Sequence, residues 1–439
     1  MWEWLSPGGF PGLQNRWRVA LRAAVGSTPI HSRLRGIMFT EIDPLTSIIA
    51  RFLTISDITQ GDGKQPFNVR YRGKLYVDSE QAYDQLVEYL KPLGYTPLFR
   101  KDGDQHVIYL VRGVQEIKNS RLTINLILFG LTFISVIIAG VFYAMGNQPE
   151  IAAPTQLKDW LPLIQSSLGG GLAFAGSLLA ILLAHEFGHY LAGRAHGENV
   201  TLPYFIPFPF SPFGTLGAFI NMKSPPKNKR TLLDIGLAGP LSGLAVAIPV
   251  LILGLSLSKI SILPTSLQPG VGIQLEGNSL IYLFAKWIVF GKLLPQPASY
   301  GNVPIWLYWL RYLFTGKPYP LGGIDVMLHP VAWAGWAGLL VTSLNLIPAG
   351  QLDGGHVIYV LLGKKAPRLL PIVLGLLLIL GIYWNGWWLW AILIFTLGRQ
   401  YAEPMDQITE LDPIRKWIAY LAILIFLLVF IPVPLLSIG

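Results

Sequence analysis

The 439-residue chain contains no cysteine, and only 13% of its residues are charged. The first absence excludes structural disulfides, Cys-ligated zinc, iron–sulfur clusters and thiol catalysis, and leaves imidazole and carboxylate as the donors for any metal. The second absence, set beside 52% apolar residues and a mean hydropathy of +0.49, excludes a disordered chain and fits a soluble globule poorly. Charge is also unevenly scarce, with 28 charged residues among the first 121 and 29 among the remaining 318. The N-terminal part therefore has the charge density of a soluble domain. The rest carries uncharged runs long enough to cross about 30 Å of hydrocarbon. No nucleic-acid motif is present, so the net charge of +9 is assigned to anionic lipid headgroups and no nucleic-acid partner is expected. The first residues also lack the apolar core and small-residue cleavage site of a secretory signal, which leaves the N-terminus on the side of synthesis.

Residues 1–60 read as an N-terminal arm lying at a surface or poorly ordered, with Arg16, Arg18, Arg22, Arg33 and Arg35 among Trp2, Trp4 and Trp17. Residues 61–118 read as a small cytoplasmic α+β module. Phe67, Val69 and Tyr71 alternate with polar neighbours, Asp78-Ser79 opens a helix with Ala82, Leu86, Tyr89 and Leu90 on one face, and Gly94 ends it. Strands Thr96–Arg100 and His106–Arg112 come next, giving a β-α-β-β order. Residues 119–439, with a core at 160–365, are expected to be a polytopic α-helical membrane protein with seven to nine transmembrane helices. Seven are Leu122–Met145, Leu163–Leu191, Leu232–Leu257, Pro330–Leu362, Arg368–Trp384, Trp387–Leu397 and Trp417–Pro432; residues 279–316 read either as two crossings or as one re-entrant pair. Pro203–Ile220 holds too many prolines and glycines for a spanning helix and reads as an embedded β-hairpin. Lys118 and Arg121 place the module before them on the cytoplasmic side or its equivalent.

The most informative residues are His185-Glu186-Phe187-Gly188-His189, near the end of the second apolar run. On a helix, positions i and i+4 lie about 40° apart, so both imidazoles can face one metal ion while Glu186 sits about 100° round, beside the metal and free to act as a base. Read merely as helix-packing polar residues, three ionisable groups within five positions would each cost at least about 2.5 kcal/mol at membrane depth. Two histidines leave a catalytic zinc site one ligand short. The candidates for the third are Asp234, Asp325, Asp353, His329 and His356. Asp353 is preferred because Pro348 and the surrounding glycines unwind the helix there and let its carboxylate face a cavity. Asp325 reads better as a pre-helix cap, His329 as an interfacial residue, and Asp234 as a first-turn charge offsetting the helix dipole. His356 is equally a supporting residue of the site and a boundary residue.

These motifs resemble the site-2 protease family of intramembrane zinc metalloproteases. The likeness rests on His185 to His189 and on Asn345-Leu346-Ile347-Pro348-Ala349-Gly350-Gln351-Leu352-Asp353-Gly354, which is similar to the family's N-x-x-P-x-x-x-L-D-G element. Gly214-Thr215-Leu216-Gly217-Ala218 resembles its embedded strand, and Ala238-Gly239-Pro240-Leu241-Ser242-Gly243 its third-helix motif. The wording around Asp353 and the module at 67–112 resemble the cyanobacterial and plastid subgroup, which includes the ethylene-dependent gravitropism-deficient and yellow-green proteins. The resemblance implies one Zn2+ per chain on His185, His189 and Asp353, Glu186 as general base, and Asn345 as a substrate-binding residue. It implies regulated intramembrane proteolysis of transmembrane protein substrates in a cyanobacterial or plastid membrane, with the N-terminus cytoplasmic or stromal. Ser258–Asn278 is too short to hold the PDZ domain that many bacterial members insert. A membrane ion or metal transporter using the same ionisable residues is the alternative, and it would be expected to show repeats of the two motifs.

Overall fold

Strand alternation and helical periodicity divide residues 44–112 cleanly. The computed structural model describes residues 44–113, 122–146, 157–266 and 273–438. The arginine- and tryptophan-bearing stretch of the expected N-terminal arm lies outside them. The chain beyond that stretch is ordered into α1 (Pro44–Ile49), β1 (Leu53–Gln60), β2 (Val69–Leu75), α2 (Ser79–Leu90), β3 (Tyr95–Asp102) and β4 (Gln105–Arg112). Strand β1 thus falls inside the segment read as an arm, because Asp57 and Thr59 occupy half-buried positions and Ile58 an exposed one, which hides the alternation. Helix α2 starts where Asp78 accepts hydrogen bonds from the backbone N–H groups of Glu80 and Gln81, at 3.0 and 3.2 Å. Its Ala82, Leu86 and Leu90 pack with Tyr71, Phe99 and Ile108 from the antiparallel sheet, whose order is β1-β2-β4-β3.

The chain forms two compact units, and this module is the larger part of one of them, completed by residues 222–232 and 402–413. The outer edge of β3 is paired rather than open. Phe99 donates to the Met405 carbonyl and accepts from the Gln407 N–H, and Met405 and Asp406 in turn donate to the carbonyls of Pro226 and Lys227. The buried Arg100 guanidinium seals the seam by donating to the Met405 carbonyl at 2.7 Å. Met405 itself belongs to the hydrophobic core of the module.

The second unit holds α3 (Leu122–Gly146), α4 (Leu157–Ala195), β5 (Tyr204–Pro207), β6 (Thr215–Phe219) and α5 (Lys229–Ser256), whose first turn lies in the first unit. It continues through β7 (Lys259–Ile262), β8 (Ile273–Glu276), α6 (Leu280–Phe290), α7 (Ile305–Thr315), β9 (Ile324–Met327), α8 (Pro330–Asn345), α9 (Asp353–Leu362), α10 (Leu370–Leu380), α11 (Gly386–Leu397), α12 (Pro413–Val429) and β10 (Leu435–Ile438). The expectation of seven to nine transmembrane helices fails. Among the described residues three helices are long and apolar enough to cross a membrane: Leu122–Gly146, Trp160–Ala195 and Lys229–Ser256. Two shorter apolar helices, Leu280–Phe290 and Gly386–Thr396, accompany them. Hydropathy overcounts because the later apolar sequence is cut into short pieces. Helices α6 and α7 each have 11 residues and stop at Gly291 and Gly316 in the left-handed conformation, a length of about 16 Å against a hydrocarbon layer of about 30 Å. Helix α8 is apolar for a different reason, being buried along nearly its whole length. All four sheets are open, and residues 204–219 form a two-stranded antiparallel one in which Tyr204 faces Phe219 and Pro207 faces Thr215.

Candidate metal centre

Helix α4 places His185 and His189 one turn apart, and both side chains are buried. The third group arrives from α9, far along the sequence. Helix α8 ends at Asn345, residues 346–352 form a turn that includes Pro348, and α9 begins at Asp353. Pro348, which cannot donate to a preceding carbonyl, and Gly350, whose φ of 55° lies in the left-handed region, break the helix there. The turn brings the Asp353 carboxylate to the two rings. Asp353 Oδ2 lies 3.4 Å from His185 Nε2, Asp353 Oδ1 lies 3.5 Å from His189 Nε2, and the two Nε2 atoms are 3.2 Å apart.

These three separations test whether the donor set suits a metal ion. Four ligands at about 2.0 to 2.1 Å in a tetrahedron stand about 3.3 to 3.4 Å from one another. Two imidazole nitrogens and a carboxylate oxygen at 3.2 to 3.5 Å fit that spacing, and their chemistry is that of a three-ligand site with one position left open.

One ring is oriented by the neighbouring helix. His189 Nδ1–H donates to the Ile235 carbonyl of α5 at 2.7 Å, which leaves the Nε2 lone pair directed toward Asp353 and His185. Helix α5 can approach that closely only because residue 239 is glycine, since a Cβ there would overlap the His189 ring. Glu186 is buried within electrostatic reach of His185, His189 and Asp353. The Asn345 side-chain amide, at the end of α8, stands 3.3 Å from His185 Nε2.

The structure therefore brings together His185, Glu186, His189, Asn345 and Asp353, and sends the other candidates elsewhere. His329, read as interfacial, is the N-cap of α8, its Nδ1 accepting from the Val331 N–H at 3.3 Å. Asp325, read as the cap, is buried in β9 and accepts from its neighbour Val326 N–H. Asp234 is engaged by Arg415, whose Nη2 donates at 2.6 Å, and by His196 at 3.0 Å. His356 is buried near the centre, its ring against Gly236 of α5. Sequence reasoning missed the Ile235 carbonyl, a backbone group with no residue-type signal, and the partners of Asp234, which lie 38 and 181 residues away.

Residues 173–380 match the family described as Peptidase family M50. Among curated proteins, the chain is 31% identical over 281 residues to a probable zinc metalloprotease EGY2, chloroplastic, of Oryza sativa subsp. indica, covering 63% of this chain and 44% of that protein. It is 28% identical over 324 residues to a probable zinc metalloprotease EGY1, chloroplastic, of Arabidopsis thaliana, covering 71% and 53%. It is also 27% identical over 261 residues to a probable zinc metallopeptidase EGY3, chloroplastic, of Arabidopsis thaliana, covering 58% and 42%. The chain spans about half the length of these relatives. No solved structure matches it. His185, Glu186, His189, Asn345 and Asp353 all lie inside residues 173–380, the stretch that is similar to peptidase family M50.

Proposed function

We propose that the protein hydrolyses peptide bonds of transmembrane protein substrates, using one zinc ion held by His185, His189 and Asp353 and using Glu186 as general base. The observation that carries this reading is the convergence of three donor atoms from two chain segments about 160 residues apart, at the mutual spacing of a tetrahedral site. When bound, the ion would supply Lewis acidity for the attacked carbonyl and for the attacking water. Glu186 would take the proton of that water and return it to the leaving amine, a role suited to a carboxylate beside the donor set but outside it. The Ile235 carbonyl holds the His189 tautomer throughout. The Asn345 amide, at the rim of the donor set, is placed to hold the substrate backbone.

A helical substrate hides its amides in internal hydrogen bonds and must be extended before attack. Strand β6, which has one edge outside its two-stranded ladder, offers a template for that extended segment. The three long apolar helices support a membrane setting, and the word chloroplastic in the relatives' names supports a plastid or cyanobacterial membrane, with the N-terminal module stromal or cytoplasmic. Metal analysis of the purified protein, paired with cleavage of a model transmembrane peptide, tests the reading. Zinc near one per chain is expected, with Glu186→Gln keeping the metal and losing cleavage. A metal-free protein that still cleaves, or full cleavage by Glu186→Gln, would overturn it. Metal flux into liposomes without proteolysis would favour a transporter instead.

A further inference from the structure

Between the end of α5 and the start of α8 the chain makes an excursion, residues 257–329, that is closed at its neck. The His329 N–H donates to Ser258 Oγ at 2.9 Å, and β7 pairs with β9 just inside it, Lys259 facing Met327. The excursion has a core of its own, in which Leu275, Leu283, Tyr308, Trp309 and Tyr312 pack with Val433 and Leu436. Helices α6 and α7 each give one face to that core.

Their other faces have the wrong chemistry for water. At 100° per residue, Leu280, Phe284, Trp287 and Ile288 of α6 fall within an arc of about 100°, and all four are about half exposed. The polar groups of the same helix point inward: Tyr282 donates to Glu276 Oε1 at 2.8 Å, and the fully buried Lys286 ammonium stands 3.9 Å from that oxygen. On α7, Trp306, Leu307, Leu310 and Phe314 fill a similar exposed arc, with Arg311 about 40° past its edge. A helix bathed in water turns hydrocarbon inward and polar groups outward. These two send hydroxyls and an ammonium inward and hydrocarbon outward, which suits lipid. Each has only 11 residues, however, and is too short to cross the hydrocarbon layer.

Charge selects the kind of lipid surface. Residues 257–329 hold seven charged side chains, and the two acids among them, Glu276 and Asp325, are buried with Lys286. The four exposed ones, Lys259, Lys292, Arg311 and Lys317, are all cations. Lys292 and Lys317 directly follow the left-handed glycines that end α6 and α7, so a cation stands at the end of each exposed apolar face. Aromatic and aliphatic side chains edged by Lys and Arg are the chemistry of a helix lying in a layer of anionic headgroups.

We propose that α6 and α7 lie flat in the membrane interface, their outer faces in the acyl boundary and Lys292, Arg311 and Lys317 on anionic lipid headgroups. The inference rests on the membrane setting given above. The chain has no cysteine, so single substitutions take one fluorophore each. The whole protein is reconstituted into phosphatidylcholine vesicles containing phosphatidylglycerol, and depth is read by quenching with lipids that carry a nitroxide at two levels. Labels at Leu280→Cys and Trp287→Cys, and at Leu307→Cys and Phe314→Cys, should lie about 5 to 10 Å into the boundary and agree within each pair. A helix running along the membrane normal would separate each pair by about 10 Å. A nitroxide on the phosphatidylglycerol headgroup should quench these labels about threefold more than one on phosphatidylcholine at equal content. Lys292→Gln, Arg311→Gln and Lys317→Gln together should bring that ratio to about one. A depth difference near 10 Å within a pair, equal quenching by the two headgroups, or access of a water-soluble quencher matching that at Asp104→Cys in the β3–β4 turn would overturn the proposal. Full water access at Ile134→Cys, midway along α3, would overturn the membrane setting itself.

Discussion

Replacing Gly239 by alanine isolates the metal centre from the helix that supports it. The added Cβ would overlap the His189 ring at Nε2, Cδ2 and Cε1. Ordinary contact between such atoms is about 3.5 Å, so ring or helix must yield by more than about 1 Å. A metal site tolerates about 0.2 Å in its ligand distances, and the donor atoms here stand only 3.2 to 3.5 Å from one another. The displacement is several times the tolerance, and the Ile235 bond to the same ring is lost with it. A fall in zinc affinity of about 100-fold is expected, which is about 2.7 kcal/mol. Gly243, one turn further on, provides the comparison. A Cβ there would lie 3.1 Å from the His185 Cβ and 3.2 Å from Nδ1, so a few tenths of an ångström suffice and the donor nitrogen is not touched. Gly243→Ala should cost about threefold or less. Both substitutions gain the same helix propensity, about 1 kcal/mol, so the difference between them reports the site. Zinc competition against a chelator, with circular dichroism to check helix content, measures both. Equal affinities for the two variants, or wild-type affinity in Gly239→Ala, would refute the assignment of His189 to the site.

Asp353→Ala should remove zinc altogether by elemental analysis, whereas His356→Ala should retain it, since only the former supplies a donor atom to the cluster. Asp234→Ala leaves the Arg415 guanidinium without its bidentate partner and should cost about 2 kcal/mol in detergent unfolding. Below neutral pH the N-terminal module should loosen. His106 accepts from the Leu75 N–H through Nδ1, and burial, helped by Lys101 and Lys74, holds its pKa below the usual 6.5. The neutral ring is therefore the folded form; its contribution is present above about pH 6.5 and is lost as pH falls through the lowered value. Exchange of the Leu75 amide should speed up on acidification, and a His106→Gln variant should show a flatter pH dependence.

The metal centre is legible in the sequence to the degree that its chemistry is local. His185 and His189 share a helix face by spacing alone, and Pro348 with its glycine neighbours announces the break that frees Asp353. The capped helix behind Asp78 is legible for the same reason. The features that escape detection depend on long-range contacts. The burial of α8 makes it as apolar as a membrane span, so hydropathy cannot separate a buried helix from a lipid-facing one, and the expected number of crossings is too high. The ion pair of Asp234 with Arg415 joins residues 181 positions apart, and no periodicity reports it. His329 caps α8 in place of Asp325, which is buried in β9, because both precede the helix and only backbone geometry decides which of them caps it.

The pairing of β3 with residues 405–407, and of those with residues 226–228, sets an order of events during synthesis. Once residues 44–113 have been made, the four-stranded sheet has a bare β3 margin, and the segment that will cover it is almost 300 codons away. Every helix from α3 to α11 must be threaded before that margin closes. An exposed sheet margin invites foreign strands in the meantime, so a truncated product ending before residue 402 would carry a sticky, incomplete head, and complete maturation of the module certifies that synthesis has passed residue 407.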